Sequence, residues 1–319
     1  MAKVVDFHHH VTPPEYIRVM SKHGIAGNTG VPFKKFNPSV NQFVMKKTNI
    51  DFAYLSISTP GVYLKDDSTS ASVARIVNDY IGEMVKTYPG KYGGLGALPF
   101  PAVKESLKEI EYIFDVLKLP GICVLSDVQG TYFGEPGFDE LFQELNRRKA
   151  LVFIHPEDLF EHKGIYLGLT HVLERSLCTT RSAYNLLLNG YLEKYPDIKF
   201  ILSHGGGAVP VMADKIVSEY FSMRNIIPEP EQYVRVIGFL RNLFFDTAQR
   251  GYEVLNGLKA FCGSGHIVFG SDLPYIPPFE IRMNHKEIAA YSGFSDQEKT
   301  HLYAGNRLSE NLKSTGSQL

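Results

Sequence analysis

Short apolar runs recur along the chain and alternate with longer segments in which apolar residues return every three or four positions. The short runs are rich in β-branched and aromatic residues, and several are almost continuously apolar. Such runs are typical of parallel strands that are buried on both faces. They predict strands at Val4–His8, Phe52–Ser58, Tyr92–Leu98, Ile122–Ser126, Leu151–His155, Lys199–His204, Leu243–Asp246 and His266–Ser271.

The longer segments have the period of amphipathic helices. They predict helices at residues 104–117, Asp139–Arg148, Thr180–Tyr195, Ala208–Met223, Gly251–Phe261 and Ser295–Asn311. Strands that alternate with helices favour an α/β fold, and eight such strands favour a (β/α)8 barrel of the TIM type. A glycine- and proline-rich stretch at 24–40 predicts a loop inserted after strand one. Because no linker interrupts the pattern, we expect one domain over residues 1–319.

Composition and charge exclude several classes of partner. The 319 residues contain 33 Lys and Arg against 34 Asp and Glu, so a net charge of −1 gives no reason to expect nucleic acid or an anionic membrane. No apolar window is long enough to span a bilayer. Three scattered cysteines suit a reducing compartment, and the first strand begins too early for a signal peptide. We therefore predict a cytoplasmic protein.

Candidate chemistry is concentrated where the predicted strands end. Strand one ends in three histidines, strands five and six each end in a histidine, and strand eight ends in an aspartate: His8, His9, His10, His155, His204 and Asp272. The carboxyl ends of barrel strands converge on one mouth, which is where active sites of this architecture lie. Because strand side chains alternate, His8 and His10 share one side and His9 takes the other.

This set of residues predicts a divalent metal site. One histidine at a strand end is more often a hydrogen-bonded structural residue than a ligand. A His-x-His pair with further matching strand ends points instead to an ion held by imidazoles and a carboxylate, which suits zinc, with manganese as the alternative. The triplet is not an expression tag, since it terminates an apolar strand rather than lying in a tail.

The same residues carry a family resemblance. His-x-His on strand one, HP on strand five, SHGGG on strand six and GSDLPY on strand eight resemble the amidohydrolase superfamily. Longer runs such as TTRSAYNLLLNGYLEKYPDIKFILSHGGG, residues 179–207, resemble its decarboxylase branch, which includes the aminocarboxymuconate-semialdehyde and 6-methylsalicylate decarboxylases. The resemblance implies metal ligation by His8, His10, His155 and Asp272. It also implies a homodimer, and it places His204 beside the metal as acid/base or as a substrate contact.

Departures from the family pattern narrow the expected site. The binuclear members have a lysine at the end of strand four, whereas ICVLSD has none here, which favours a single ion. Asn41 and Lys215 stand where the aminocarboxymuconate enzymes have substrate-binding arginines, the second one supplied across the dimer interface. A small aromatic acid with fewer anionic groups is therefore the expected substrate. Arg181 would either grip a carboxylate or brace its helix, and Tyr275 would either line the pocket or pack.

The resemblance predicts a metal-dependent, non-oxidative decarboxylase of a hydroxybenzoate-like aromatic or unsaturated acid. In this hypothesis the metal orients the substrate, Asp272 carries the proton to the ring carbon, and His204 relays a proton or stabilises charge. The alternative is a hydrolase in which a hydroxide held by the metal attacks a lactone, ester or amide. A third hypothesis is a barrel that binds a small molecule without converting it. The complete set of strand-end residues speaks against that third hypothesis.

Overall fold

The computed structural model describes residues 3–28, 31–157, 170–248 and 251–309. Eight parallel strands, β1 to β8, form its centre. They are β1 Val5–His10, β2 Phe52–Ser56, β3 Tyr92–Gly94 continued by Gly96–Ala97, β4 Gly121–Leu125, β5 Leu151–His155, β6 Lys199–Leu202, β7 Phe244–Asp246 and β8 Ile267–Val268.

The strands pair in chain order and close into a barrel. Each strand from β1 to β8 is parallel to the next one. The barrel closes where the Phe7 amide donates to the Phe269 carbonyl at 3.0 Å and the His10 amide donates to the Leu273 carbonyl at 2.7 Å. The predicted (β/α)8 barrel is therefore confirmed.

Helices α1 to α12 connect the strands and cover the barrel. They are α1 Pro14–Lys22, α2 Pro38–Lys47, α3 Asp67–Thr87, α4 Val103–Glu111, α5 Asp139–Arg147, α6 Arg175–Leu188, α7 Tyr191–Lys194, α8 Val209–Ser222, α9 Pro230–Arg241, α10 Tyr252–Cys262, α11 Pro278–Ala290 and α12 Asp296–Tyr303. Two small hairpins pair Gly27–Asn28 with Val31–Pro32 and Asp127–Val128 with Thr131–Tyr132. No helix in these ranges is both long enough and apolar enough to cross a bilayer.

The barrel interior is apolar below the site. Buried residues from every strand form one inner cluster, which includes Val5, Phe52, Leu95, Cys123, Phe153, Ile201, Phe244 and Val268. A larger cluster lies between the strands and the surrounding helices. This double burial explains why the strands appear in the sequence as nearly continuous apolar runs.

The sequence located the strands better than the helices. The capping box at Ser295 and Glu298 is present, but α12 ends at Tyr303, short of the predicted Asn311, which itself lies outside the described residues. The predicted helix 104–117 turns into a π-helix after residue 111. The predicted loop 24–40 contains a hairpin and the start of α2, while α1, α3, α9 and α11 had no predicted counterpart.

A β-bulge in β1 changes which side chains face the interior. Between Asp6 and His9 the register against β2 shifts by one residue. Phe7 packs in the inner cluster, and the ring of His8 contacts Phe153 of that cluster with ring centroids 4.9 Å apart. Asp6 and His9 lie together on the other side, where His9 Nδ1 is 2.8 Å from Asp6 Oδ2. The bulge re-aims side chains just below the mouth, as bulges near active sites commonly do.

Candidate metal centre and active site

Four side chains meet at the carboxyl end of the barrel. His8, His10, His155 and Asp272 each offer one ligand atom, and these atoms all lie within 4.8 Å of one another. They come from the ends of β1 and β5 and from the turn after β8. The structure thus brings together the four residues that the sequence singled out as ligands.

The hydrogen bond of His8 fixes how its ring is used. His8 Nδ1 lies 2.7 Å from Asp246 Oδ2 at the end of β7, and both groups are fully buried. In the neutral ring, Nδ1 carries the proton and donates a hydrogen bond to the carboxylate. Nε2 then presents its lone pair to the centre of the cluster. A carboxylate behind a histidine in this way is the usual support of a metal-binding imidazole.

The donor set fits a divalent cation. His8 Nε2 lies 3.0 Å from His10 Nε2, and Asp272 Oδ1 lies 3.4 and 3.1 Å from these two nitrogens. Two ring nitrogens and one carboxylate oxygen therefore converge on one point, where a bound cation would satisfy all three. In addition, Nδ1 of the buried His155 has no hydrogen-bond partner among the described residues. Three imidazoles and one carboxylate are a common ligand set for a transition-metal ion.

Burial and neighbouring charges set the protonation of the ligands. Burial lowers the pKa of His10 to about 4, and burial together with the neighbouring His10 and His8 lowers the pKa of His155 well below its usual range. Burial alone would lower the pKa of His8, but Asp272 and Asp246 outweigh it and raise that pKa. His10 and His155 are therefore neutral at pH 7, which is the form that binds metal.

His204 lies beside the cluster in a tight turn after β6. It has a φ of +52°, and its Nε2 lies 3.3 Å from Asp272 Oδ2. The glycines that follow His204 allow the backbone of this turn to pass close to α6. A Cβ on Gly207, whose φ is +60°, would come within 2.1 Å of the Ser176 carbonyl oxygen. The turn explains why β6 ends at Leu202 and not at His204 as predicted.

Asp272 also occupies a turn of positive φ, +56°, beyond the end of β8. Its amide donates to the His8 carbonyl at 2.8 Å, which ties the turn to β1. A Cβ on Gly270 would lie only 2.9 Å from the His8 Cβ and 3.0 Å from the Asp246 Cβ. The glycine of the GSD motif therefore allows β8 to pass close to the two side chains that build the site.

A cavity of about 380 Å³ opens above the cluster. His155, His204 and Asp272 form part of its wall. The rest of the wall is largely apolar or hydroxyl-bearing, and Lys34 and Arg175 are its two basic side chains. The other residues of this wall are Val31, Phe33, Ser58, Thr59, Val172, Ser176, Tyr275 and Ile276. Pockets of this size and character bind small organic ligands.

Only one of the four predicted substrate contacts lines this cavity. Tyr275 does so, and its ring packs edge-on against His10 at 5.5 Å. Asn41 does not, because it is buried between His9 and Tyr92, with 2.7 Å contacts to each. These contacts within the chain favour a structural role for Asn41 over the predicted contact with substrate.

Arg181 and Lys215 lie outside the cavity, in a separate surface cleft between α6 and α8. Arg181 donates to the Tyr132 hydroxyl at 3.3 Å and lies 3.9 Å from Glu174. Of the two roles considered for it, the contacts within the chain favour bracing the helix. Lys215 does not reach the cavity of its own chain, so its predicted contact would require a second copy.

Two buried carboxylates of the site region were missed. Asp246 ends β7, so the strand-end criterion that selected His155 and Asp272 would have found it. Asp6 lies below the bulge and accepts hydrogen bonds from His9 Nδ1 and from the Ser271 amide, at 2.8 and 2.9 Å. No sequence signal marks Asp6, because the bulge that turns it toward Ser271 cannot be recognised in the apolar pattern.

The family model described as Amidohydrolase matches residues 5–306 of the chain. The chain is 30% identical to decarboxylase yanB of Aspergillus niger over 309 residues, covering 92% of this chain and 82% of that protein. It is also 30% identical to the 6-methylsalicylic acid decarboxylase of Penicillium expansum over 284 residues, covering 87% of this chain and 86% of that protein.

A solved structure shares the fold at lower identity. It is the dihydroxybenzoic acid decarboxylase from Polaromonas sp. JS666, with bound manganese and the inhibitor 2-nitroresorcinol. The TM-score is 0.78 at 17% identity, and the match covers 100% of this chain and 98% of the other.

Proposed function

The chain belongs to the amidohydrolase family, and we propose on this premise that it is a metal-dependent, non-oxidative decarboxylase of a small aromatic carboxylic acid. The observation that carries the proposal is the cluster of His8, His10, His155 and Asp272 at the base of a cavity of about 380 Å³. The relatives named decarboxylases, at 30% identity over most of both chains, support this reaction over hydrolysis.

One divalent ion would be held by His8, His10, His155 and Asp272. When bound there, the ion would act as a Lewis acid and orient the carboxylate and a neighbouring phenol oxygen of a hydroxybenzoate. The histidine-rich donor set favours zinc, whereas the solved relative from Polaromonas contains manganese. Metal analysis of protein prepared without chelator distinguishes the two ions.

The proton is carried by this chain's own residues. Decarboxylation of an aromatic acid breaks the bond between ring and carboxylate, releases carbon dioxide, and needs a proton at the ring carbon. Asp272 borders the cavity and carries that proton: it takes the proton from solvent through His204 and passes it to the ring carbon, so that the side chain begins and ends the step as a carboxylate. His204 Nε2, 3.3 Å from Asp272 Oδ2, is placed to stabilise that carboxylate and to pass a proton back to it.

The cavity walls suit an aromatic ring more than a strongly charged molecule. Val31, Phe33 and Ile276 offer apolar surface, and Tyr275 adds an aromatic side chain beside His10. Ser58 and Ser176 provide hydroxyls that would bond a phenol or carboxylate oxygen. We infer a hydroxybenzoate-like substrate, the class that includes the acid named for the Penicillium relative.

A homodimer and a cytoplasmic location complete the proposal. The cleft that contains Lys215 is bordered by exposed apolar side chains, since Met212 is 38% and Leu177 36% exposed. A second copy that covers this cleft would bury them. Three scattered cysteines, of which Cys123 and Cys178 are buried and unpaired, agree with a reducing compartment.

The test is a comparison of two substrate panels. We expect carbon dioxide release from ortho-hydroxybenzoic acids, and no opening of a matched panel of lactones. Asp272→Asn should lower kcat by about 10²- to 10⁴-fold, the usual contribution of a positioned proton donor. The metal content of the variant is measured alongside, so that loss of the ion is not mistaken for loss of the proton. Lactone opening without decarboxylation would overturn the proposal.

A further inference from the structure

A buried carboxylate outside the ligand set holds the turn that carries Asp272. Asp6 is completely buried on the side of β1 that faces away from the metal cluster. Its Oδ1 accepts from the Ser271 amide at 2.9 Å and from the His8 amide at 3.1 Å. Its Oδ2 accepts from the Ser271 hydroxyl and from His9 Nδ1. One carboxylate therefore joins β1 to the residue that directly precedes Asp272.

The turn that Asp6 holds is short and conformationally demanding. Asp272 has a φ of +56°, which a residue with a side chain adopts only when its surroundings impose it. The Ser271 hydroxyl that donates to Asp6 also accepts from the Leu273 amide at 3.1 Å. Ser271 is thus bonded to Asp6 through both its amide and its hydroxyl, and the residues on either side of Asp272 are both tied into this arrangement.

The hydrogen bonds behind Asp6 run in one direction. The Tyr92 hydroxyl donates to Asn41 Oδ1, so Asn41 Nδ2 faces His9 Nε2 and donates to it, both at 2.7 Å. His9 then carries its proton on Nδ1 and donates to Asp6. Only an acceptor at position 6 completes this chain. The NH2 group of an amide at that position would face the N–H of His9 or the hydroxyl of Ser271, both of which now donate to Asp6. One of these two hydrogen bonds would then be lost or would have to change direction.

We infer that Asp6 is a positioning residue for Asp272: it fixes the Ser271–Leu273 turn so that the Asp272 carboxylate is aimed at the reacting carbon. This inference rests on the proposed function, in which Asp272 carries the proton. It assigns Asn41 and His9 to the support of Asp6. Asp6 itself does not touch the cavity, so it acts on the reaction through the residues that it holds, and its two bonds to Ser271 fix the geometry of Asp272.

The test compares three carboxylate-to-amide variants at saturating metal: Asp6→Asn, Asp246→Asn and Glu109→Gln. Glu109 is the matched control, since it is a buried carboxylate of α4 that accepts from Arg75 and Asn78 of α3, away from the site. We expect Asp6→Asn to lower kcat about 10- to 100-fold with KM within threefold, the usual range for residues that orient a functional group. Glu109→Gln should leave kcat unchanged even where it lowers the melting temperature.

Metal affinity, measured by competition with a chromogenic chelator, provides the second readout. We expect Asp246→Asn to weaken metal binding and to regain turnover in excess metal, whereas turnover of Asp6→Asn should stay low in excess metal. If Asp6→Asn does not fold, Ser271→Ala takes its place, with an expected fall in kcat of up to about tenfold. Wild-type kcat in Asp6→Asn, or full recovery in excess metal, overturns the inference. Failure of the proposed function would instead appear in the wild type, as the absence of decarboxylation.

Discussion

The two sides of β1 carry the same residue types but differ in how their polar atoms are satisfied. On the inner side, His8 Nε2, His10 Nε2 and Asp272 Oδ1 lie 3.0 to 3.4 Å apart. On the outer side, both oxygens of Asp6 and both ring nitrogens of His9 have hydrogen-bond partners. A cation would complete the inner set, whereas the outer set is complete without one.

This difference distinguishes the proposed metal site on the inner side from the structural residues on the outer side, although both sides contain histidine and aspartate. Burial is the same on both sides, since Asp6, His8, His9 and His10 are all fully buried. What differs is the balance of donors and acceptors. Whether a buried histidine is a metal ligand or a structural residue is therefore better decided by the hydrogen-bond partners of both its ring nitrogens than by its neighbours in the sequence.

The largest expected effect comes from a matched pair of variants across β1. His10→Ala removes one of the proposed ligands, and we expect metal content to fall from one ion per chain to near zero and turnover to fall at least about 10³-fold. His9→Asn removes the neighbouring histidine on the outer side but keeps a donor near Asp6. Its metal content should remain at one ion per chain, as measured by elemental analysis after gel filtration. Equal metal loss in both variants would contradict the distinction between the two sides.

A smaller effect is expected at the carboxylate behind His8. Asp246→Asn keeps the size of the side chain but no longer offers a charged acceptor to His8 Nδ1, 2.7 Å away. Loss of such an outer partner lowers metal affinity about 10- to 100-fold. Calorimetric titration of the metal-free protein measures this directly. Unchanged affinity would show that the position of His8 is fixed by β1 alone.

The sequence predicted the barrel and the inner set because both follow from strand periodicity. Apolar runs locate strands that are buried twice, and the strand-end rule places His155 and Asp272 at one mouth. The outer set escaped prediction because the bulge between Asp6 and His9 breaks that periodicity without a glycine or proline to mark it. Asn41 was proposed as a substrate contact because it stands where related enzymes have an arginine, and that alignment carries no information about its hydrogen bonds to His9 and Tyr92.

The sequence missed α3 and misjudged the helix predicted at Thr180–Tyr195, because polar residues or a glycine interrupt the apolar period there. The long α3 has a broad mixture of small and polar residues, among them Ser70 and Asn78, which are buried all the same. The predicted helix at Thr180–Tyr195 is divided, because Gly190 has a φ of +74° and separates α6 from α7. Here contacts with the rest of the barrel, rather than local pattern, decide where a helix begins and ends.

The smallest expected effect concerns Asp127, which lies just beyond β4 and is neither a ligand nor fully hydrogen-bonded. Its Oδ2 is buried without a partner among the described residues, and burial raises the pKa of Asp127 to about 6. Because this folded-state pKa exceeds the unfolded value of about 3.9, the folded protein is stabilised by protonation of Asp127. That stabilisation is complete below about pH 4 and is lost as the pH rises through 6.

Asp127→Asn should therefore change the slope of stability against pH more than its absolute value. Between pH 4 and 7 we expect the variant to gain about 1–2 kcal/mol relative to the wild type, with no further gain above pH 7. Urea unfolding at fixed pH values measures the difference, and metal content should not change, because Asp127 is not among the converging ligand atoms. A pH-independent difference would mean that the unpartnered oxygen is solvated. Water would then satisfy the Asp127 carboxylate, just as protein donors satisfy the Asp6 carboxylate, and the missing protein partner would carry no cost in stability.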